Sequence, residues 1–221
     1  MTPLAAVGLA YLVGAIPVGY LVGRMFGIGD IRRHGSGSIG ATNLLRTAGK
    51  LPAVLTLVGD VVKGAGAVAL GRALAAADDR VVAACAVAAI AGNCWSLFLR
   101  FRGGKGVATG LGAFLALAPW AVLPAALVWL VVVVTFRYVS LASVMASVCV
   151  PLGALLLYPW PSVLACAFGA AIVVARHRDN LARLTAGTES RVGERAGRES
   201  PPGGREGPPG GREGPPGVIG R

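Results

Sequence analysis

Charge is scarce in this chain: only 14% of its 221 residues are charged, and only 10 are acidic. An ordinary soluble domain carries about 25% charge, so that class is excluded. With 55% hydrophobic residues and a mean hydropathy of +0.68, the sequence reads instead as an all-α integral membrane protein. Paired cysteine spacings are also missing. Cys85, Cys94, Cys149 and Cys166 form no CxxC or CxxxC and lie in or beside apolar runs, so neither a zinc site nor a disulfide framework is expected, and no metal or cofactor is implied. Basic residues are absent ahead of the first apolar run, since Arg24, Arg32 and Arg33 follow it. That order argues against a cleaved signal peptide and for a retained first helix with its N-terminus outside.

What charge there is has a pattern. The 21 Lys and Arg residues give a net charge of +11, which in a soluble protein would suggest nucleic acid. Here they stand between apolar runs, where they orient helices in a bilayer, and no nucleic-acid partner is expected. Runs of spanning length cover residues 3–26, 51–75, 80–99, 141–158 and 160–175. Residues 107–136 would make a helix of about 45 Å, too long for a core of ~30 Å without strong tilt. Pro119 and Pro124 near the centre of that stretch predict a hairpin of two short helices. About seven spans then put Arg32, Arg33, Arg46 and Lys50, Arg100, Arg102 and Lys105, Arg137, and Arg176, Arg178 and Arg183 all on the cytoplasmic side, together with the C-terminus. Trp95, Trp120, Trp129 and Trp160 sit mostly near predicted helix ends, as interfacial anchors do. The spanning domain covers residues 1–190. Residues 191–221 form a Gly/Pro/Arg/Glu tail in which Pro201–Gly207 repeats as Pro208–Gly214. Such a composition predicts disorder; a solvated appendage suits its alternating charges better than binding to anionic headgroups.

Three polar stretches interrupt the apolar sequence. Gly35–Arg46 (GSGSIGATNLLR) combines glycines that permit a tight loop with hydroxyls and the planar fork of Arg46. Arg100–Thr109 (RFRGGKGVAT) holds a glycine-rich run around Lys105. It is no Walker A loop: Leu99 stands where the leading glycine belongs, Gly106 where a Ser or Thr should follow the lysine, and there is no sheet beneath. Backbone amides, a helix N-terminus and Lys105 can still hold a phosphate. Arg176–Glu189 (RHRDNLARLTAGTE) places His177 and Asn180 three residues apart on one helix face. Each stretch has a plainer alternative, respectively a flexible connector, a basic cytoplasmic loop and a basic juxtamembrane helix. Within the second span, Asp60 and Lys63 share a helix face, which predicts an ion pair tying helices together near the site.

Taken together, these stretches, the DVVKG run from Asp60 to Gly64 and the GNCWSLFLRFRGGKGVAT run that contains the second stretch resemble the PlsY-type acyl-phosphate:glycerol-3-phosphate acyltransferases of bacteria, in order and spacing, over about residues 3–190. The resemblance implies transfer of a fatty acyl group from acyl phosphate to the 1-hydroxyl of sn-glycerol 3-phosphate, giving lysophosphatidic acid and phosphate at the cytoplasmic face of the bacterial inner membrane. It assigns Ser36, Arg46, His177 and Asn180 to catalysis. It has Thr42 and Asn43 shape the first loop, and assigns the Gly103, Gly104 and Gly106 loop and Lys105 to glycerol-phosphate binding and Glu189 to structural integrity. With Gly37, Gly40 and Arg176, which suit two anions at one membrane face, these loop residues and Lys105 form the expected substrate- and phosphate-binding set. Ser140 and Ser143 match a Ser-Leu-x-Ser element, with Ser143 near a phosphate. Two positions depart from the pattern: Asn93 follows Gly92 where a histidine is usual, and Ser38 replaces an asparagine. Asn93 can hydrogen-bond but cannot act as a base near neutral pH. The H-x-x-x-x-D dyad of acyl-CoA-dependent enzymes is lacking, since Ile39 and Ala182 lie five residues after His34 and His177. A transporter for a phosphate-bearing solute is the alternative, and its chemistry would be expected to reach the membrane midplane.

Overall fold

A computed structural model describes residues 2–74 and 78–193. The tail expected to be disordered therefore lies outside the described residues from position 194 onward. The described chain is helical: α1 (Pro3–Ala15), α2 (Val18–Met25), α3 (Ala41–Thr47), α4 (Lys50–Leu74), α5 (Asp79–Cys94), α6 (Val107–Leu117), α7 (Pro119–Phe136), α8 (Val139–Leu157), α9 (Trp160–Arg176) and α10 (Arg178–Thr185). Five segments are long and apolar enough to cross a bilayer: α1 with α2, α4, α5 with the turn after it, α7 and α8; α9 with α10, bent by 55°, makes a sixth. Their outer faces are apolar, with Leu4 and Leu156 more than four-fifths exposed. That is the surface a hydrocarbon solvent requires.

Small residues set the packing. A Cβ on Gly14 would collide with the Ala89 carbonyl, and one on Gly92 with the Tyr11 carbonyl, so α1 and α5 cross at backbone contact. Van der Waals contact of this kind is what drives helix association where lipid competes equally for apolar side chains. The same contacts give direction. Ala6 and Ala10 cluster with Val81 and Cys85, and Gly14 meets Ala89, so α1 runs parallel to α5. Gly64 packs on Thr109 and Val68 clusters with Ala113 and Leu117, so α6 runs parallel to α4.

The 107–136 stretch breaks, but not into two equal halves. α6 has 11 residues and α7 has 18, about 16 Å and 27 Å respectively. The break falls at Ala118 because the residue ahead of a proline is steered away from helical backbone, and Pro119 begins α7, where its missing N–H costs nothing. Pro124 lies inside α7 without ending it. The short α6 finishes beside the last turn of α4, where Arg72 Nη2 donates to the Ala116 carbonyl at 2.6 Å.

Pro17 interrupts the first span, so the Ala15 carbonyl loses its helical partner and the Ile16 carbonyl keeps only a tight-turn bond from the Val18 N–H at 3.0 Å. Ser96 Oγ donates to the first at 2.6 Å and Lys63 Nζ to the second at 2.7 Å. Lys63 also lies 2.7 Å from Asp60 Oδ1 and donates to Asn93 Oδ1 at 2.9 Å. The buried pair thus joins α4 to the α1–α2 break and to the end of α5, as its position in the sequence suggests. Trp120 and Trp160 stand exposed at helix starts, whereas Trp129 is well inside α7 with its indole N–H toward Ser143 Oγ at 3.4 Å.

Candidate active site

The three polar stretches converge at one end of the helix assembly, around a cavity of about 390 Å³. The first stretch is folded around a single side chain. Asn43, 2% exposed, accepts the Ser36 N–H at its Oδ1 (2.9 Å) and donates from Nδ2 to the carbonyls of Ser38 (2.8 Å) and His34 (3.0 Å). Gly35, at φ +56°, passes so close to Asn43 Oδ1 that a Cβ would overlap it. Held by that side chain, the loop presents Ser36, Ser38, Thr42 and Arg46 to the cavity. Ser38 Oγ accepts the Gly40 N–H at 3.2 Å at the start of α3.

The second stretch is held from below by the end of α5. Gly103 N–H donates to the Cys94 carbonyl and Gly104 N–H to the Asn93 carbonyl, at 3.2 and 2.9 Å. Arg176 braces the loop from the other side: its Nε donates to the Gly104 carbonyl at 3.1 Å while its guanidinium lies over Trp95, 5.8 Å from the ring centre. Arg176 does not line the cavity, and neither do Gly37 and Gly103, whereas Gly40, Gly104, Lys105 and Gly106 do. Gly106 takes a left-handed conformation (φ +82°) that starts α6 and turns Lys105 inward. Burial, with Arg183, Arg46 and Arg176 nearby, lowers the Lys105 ammonium from its usual range to about 8, against the pull of Glu189.

In the third stretch the helix bends at His177, between α9 and α10, and still brings His177 and Asn180 to the same cavity. His177 Nδ1 lies 2.7 Å from the Val173 carbonyl. A carbonyl can only accept, so Nδ1 carries the proton and Nε2 is the nitrogen left for a ligand. Asn180 Oδ1 accepts from Lys105 Nζ at 2.6 Å, and its Nδ2 donates to Glu189 Oε1 at 2.7 Å. An ammonium on one side and a carboxylate on the other fix the orientation of that amide. Glu189 Oε2 also takes Arg183 Nε at 2.8 Å. These donors hold the Glu189 carboxyl below its usual range although burial opposes them.

Beyond this polar head the cavity continues as an apolar arm between α6, α7 and α8, walled by Leu111, Phe114, Val122, Ala125, Trp129 and Val150. Ser143 lies on the wall with its Oγ donating to the Val139 carbonyl at 2.7 Å, and the buried Ser140 lines it as well. Asp60 and Asn93 also reach the lining. The place of Trp129 was discoverable in principle, because an indole N–H deep in an apolar helix needs a partner. The apolar arm itself has no signal in the sequence, since its residues are indistinguishable from those facing lipid.

A sequence model for the family described as Glycerol-3-phosphate acyltransferase matches residues 4–187. Glycerol-3-phosphate acyltransferase of Rubrobacter xylanophilus is 48% identical over 198 residues, covering 89% of this chain and 98% of the relative. Glycerol-3-phosphate acyltransferase 2 of Moorella thermoacetica is 49% identical over 196 residues, covering 87% and 99%. Among solved structures, the glycerol 3-phosphate form of PlsY (YgiH), an integral membrane glycerol 3-phosphate acyltransferase, superposes with a TM-score of 0.82 at 36% identity, covering 87% of this chain and 96% of that one. Its lysophosphatidic acid form gives 0.79 at 35% identity, covering 86% and 95%.

Proposed function

Because the chain belongs to the glycerol-3-phosphate acyltransferase family, we infer that it moves a fatty acyl group from acyl phosphate to the 1-hydroxyl of sn-glycerol 3-phosphate, releasing lysophosphatidic acid and inorganic phosphate. The observation that carries this reading is the two-part cavity. Its polar head supplies Arg46, Lys105 and the hydroxyls of Ser36 and Thr42 to phosphate, and its arm supplies an apolar sleeve to a hydrocarbon chain. An acyl phosphate has both parts, and glycerol 3-phosphate needs only the first.

Acyl phosphate is already activated, so placing the two phosphates side by side against fixed cations accounts for much of the expected rate. Arg46 and Lys105 hold phosphate, and Ser36 and the backbone of its loop donate to it. His177 Nε2 and the Asn180 amide hold the reacting groups while the hydroxyl proton passes to a phosphate oxygen of the donor. Imidazole rescue of His177→Ala, with a pH profile that follows the added imidazole, would instead make His177 the base.

Seven crossings, with the N-terminus outside and the site at the cytoplasmic face of the inner membrane, are the reading that the packing directions support when the basic loops are set inside. α5 runs toward the site, because its last residues carry the Lys105 loop, and α1 runs parallel to it. α1 therefore starts at the opposite face. α6 leaves the site and ends level with the last turn of α4, so this short helix reaches the far side and α7 returns. Purified protein given palmitoyl phosphate and glycerol 3-phosphate should release phosphate and form lysophosphatidic acid. No product, together with uptake of a phosphate-bearing solute into proteoliposomes, would replace this reading with transport.

A further inference from the structure

Arg137 reads in the sequence only as one more cytoplasmic positive charge, yet it holds the chain segment that follows the third polar stretch. It occupies the turn between α7 and α8 in a left-handed conformation (φ 62°). Its Nη2 donates to the Val192 carbonyl at 2.7 Å, and its own carbonyl accepts the Val192 N–H at 2.8 Å. The next pair repeats the contact: Arg191 Nε donates to the Tyr138 hydroxyl at 3.1 Å, and the Arg191 guanidinium lies 5.3 Å from the centre of the Tyr138 ring. Two neighbouring residues of the α7–α8 turn are thus zipped to two neighbouring residues of the strap.

The same strap reaches the site within three residues. Ser190 offers its carbonyl to Arg46 Nη2 at 3.1 Å. Glu189 fixes the Asn180 amide, which in turn takes the Lys105 ammonium. A strap anchored at one end by the bend at His177 and loose at the other would leave Glu189 and Ser190 free to drift, and with them the groups on which the phosphates depend. Resting on the acyltransferase reading, we propose that Arg137 is a positioning residue for the transfer: by latching Val192 it holds the strap 189–192 so that Arg46, Asn180 and Lys105 stay aligned in the cavity.

The latch can be broken from either side. Arg137→Gln removes the guanidinium, and Val192→Pro removes the N–H without touching Arg137. Each should lower kcat/KM by about five- to tenfold, mainly through a higher KM for glycerol 3-phosphate. Arg137→Lys, which can still reach the Val192 carbonyl, should keep most of the wild-type value. Arg137→Gln removes the bond to the Val192 carbonyl and Val192→Pro the bond from the Val192 N–H, so the double variant Arg137→Gln/Val192→Pro should be worse than either single one but by less than the product of the two losses, because the two bonds hold one segment. Limited trypsin digestion gives a readout independent of turnover: cleavage after Arg191 should be several-fold faster in Arg137→Gln than in wild type. Losses that multiply in the double variant, a wild-type value for Val192→Pro, or unchanged cleavage after Arg191 would each overturn the latch. An inactive wild-type enzyme would count against the acyltransferase reading, and the digestion would still decide whether the strap is held.

Discussion

Replacing Lys63 with methionine should destabilise the helix bundle strongly. The side chain is 6% exposed, and its ammonium has three oxygen partners at 2.7, 2.7 and 2.9 Å, on Asp60, Ile16 and Asn93. Methionine fills a similar volume, so little of the effect comes from a cavity. What remains is an unpaired carboxylate inside the membrane and an orphaned Asn93 Oδ1, while the Ile16 carbonyl keeps the Val18 N–H. Breaking a buried ion pair by removing one partner costs about 3–5 kcal/mol, a large share of the roughly 5–15 kcal/mol that holds a domain together. For a chain of this size that corresponds to a fall in Tm on the order of 6–20 °C. The assay is thermal unfolding in detergent followed with a thiol-reactive dye, which works here because Cys85, Cys94 and Cys166 are buried and become reactive on unfolding. Asp60→Asn leaves Lys63 with Ile16 and Asn93 and should cost less. The double variant Asp60→Asn/Lys63→Met should recover part of the loss, since no charge is then stranded. If Lys63→Met melted with wild type, or if the double variant melted lower than the sum of the two single losses, the ion-pair argument would be wrong.

Lys105, lowered by burial to about 8, must be protonated to hold phosphate, so kcat/KM for glycerol 3-phosphate should fall as pH rises through about 8. Lys105→Arg, if active, should lose that alkaline limb. The stability effect has the opposite sign: between about 8 and the ordinary lysine value the unfolded chain binds more protons, so this group adds stability as pH rises. Asn43→Ala strands the Ser36 N–H and the Ser38 carbonyl and takes one of two donors from the His34 carbonyl. It should cost about 1–3 kcal/mol, with faster amide exchange across residues 34–40. Ala125→Phe places a ring in the apolar arm. It should raise KM for palmitoyl phosphate while sparing a short-chain acyl phosphate, and equal losses for both chain lengths would show that the arm does not hold the acyl group.

Much of this protein is legible from its order of residues. Apolar runs long enough to cross a bilayer fixed the class, because a backbone in hydrocarbon has to bond to itself. The glycines and cations of the three polar stretches marked them as anion sites, and the spacing of Asp60 and Lys63 announced a pair on one helix face. What a helical period does not encode is which neighbour a face meets. α6 came out shorter than α7 because the chain breaks at Ala118, ahead of Pro119, while Pro124 is tolerated inside a helix. Arg176 turned from the cavity to the Gly104 carbonyl, and Arg137 turned from a topogenic charge into an anchor, only because segments distant in sequence were packed against them. Whether an apolar residue lines the substrate arm or faces lipid was likewise settled by tertiary packing, since both environments select the same side chains. The sequence determined the solvent, the elements and the chemical groups; the distances that make those groups a site belong to long-range contacts.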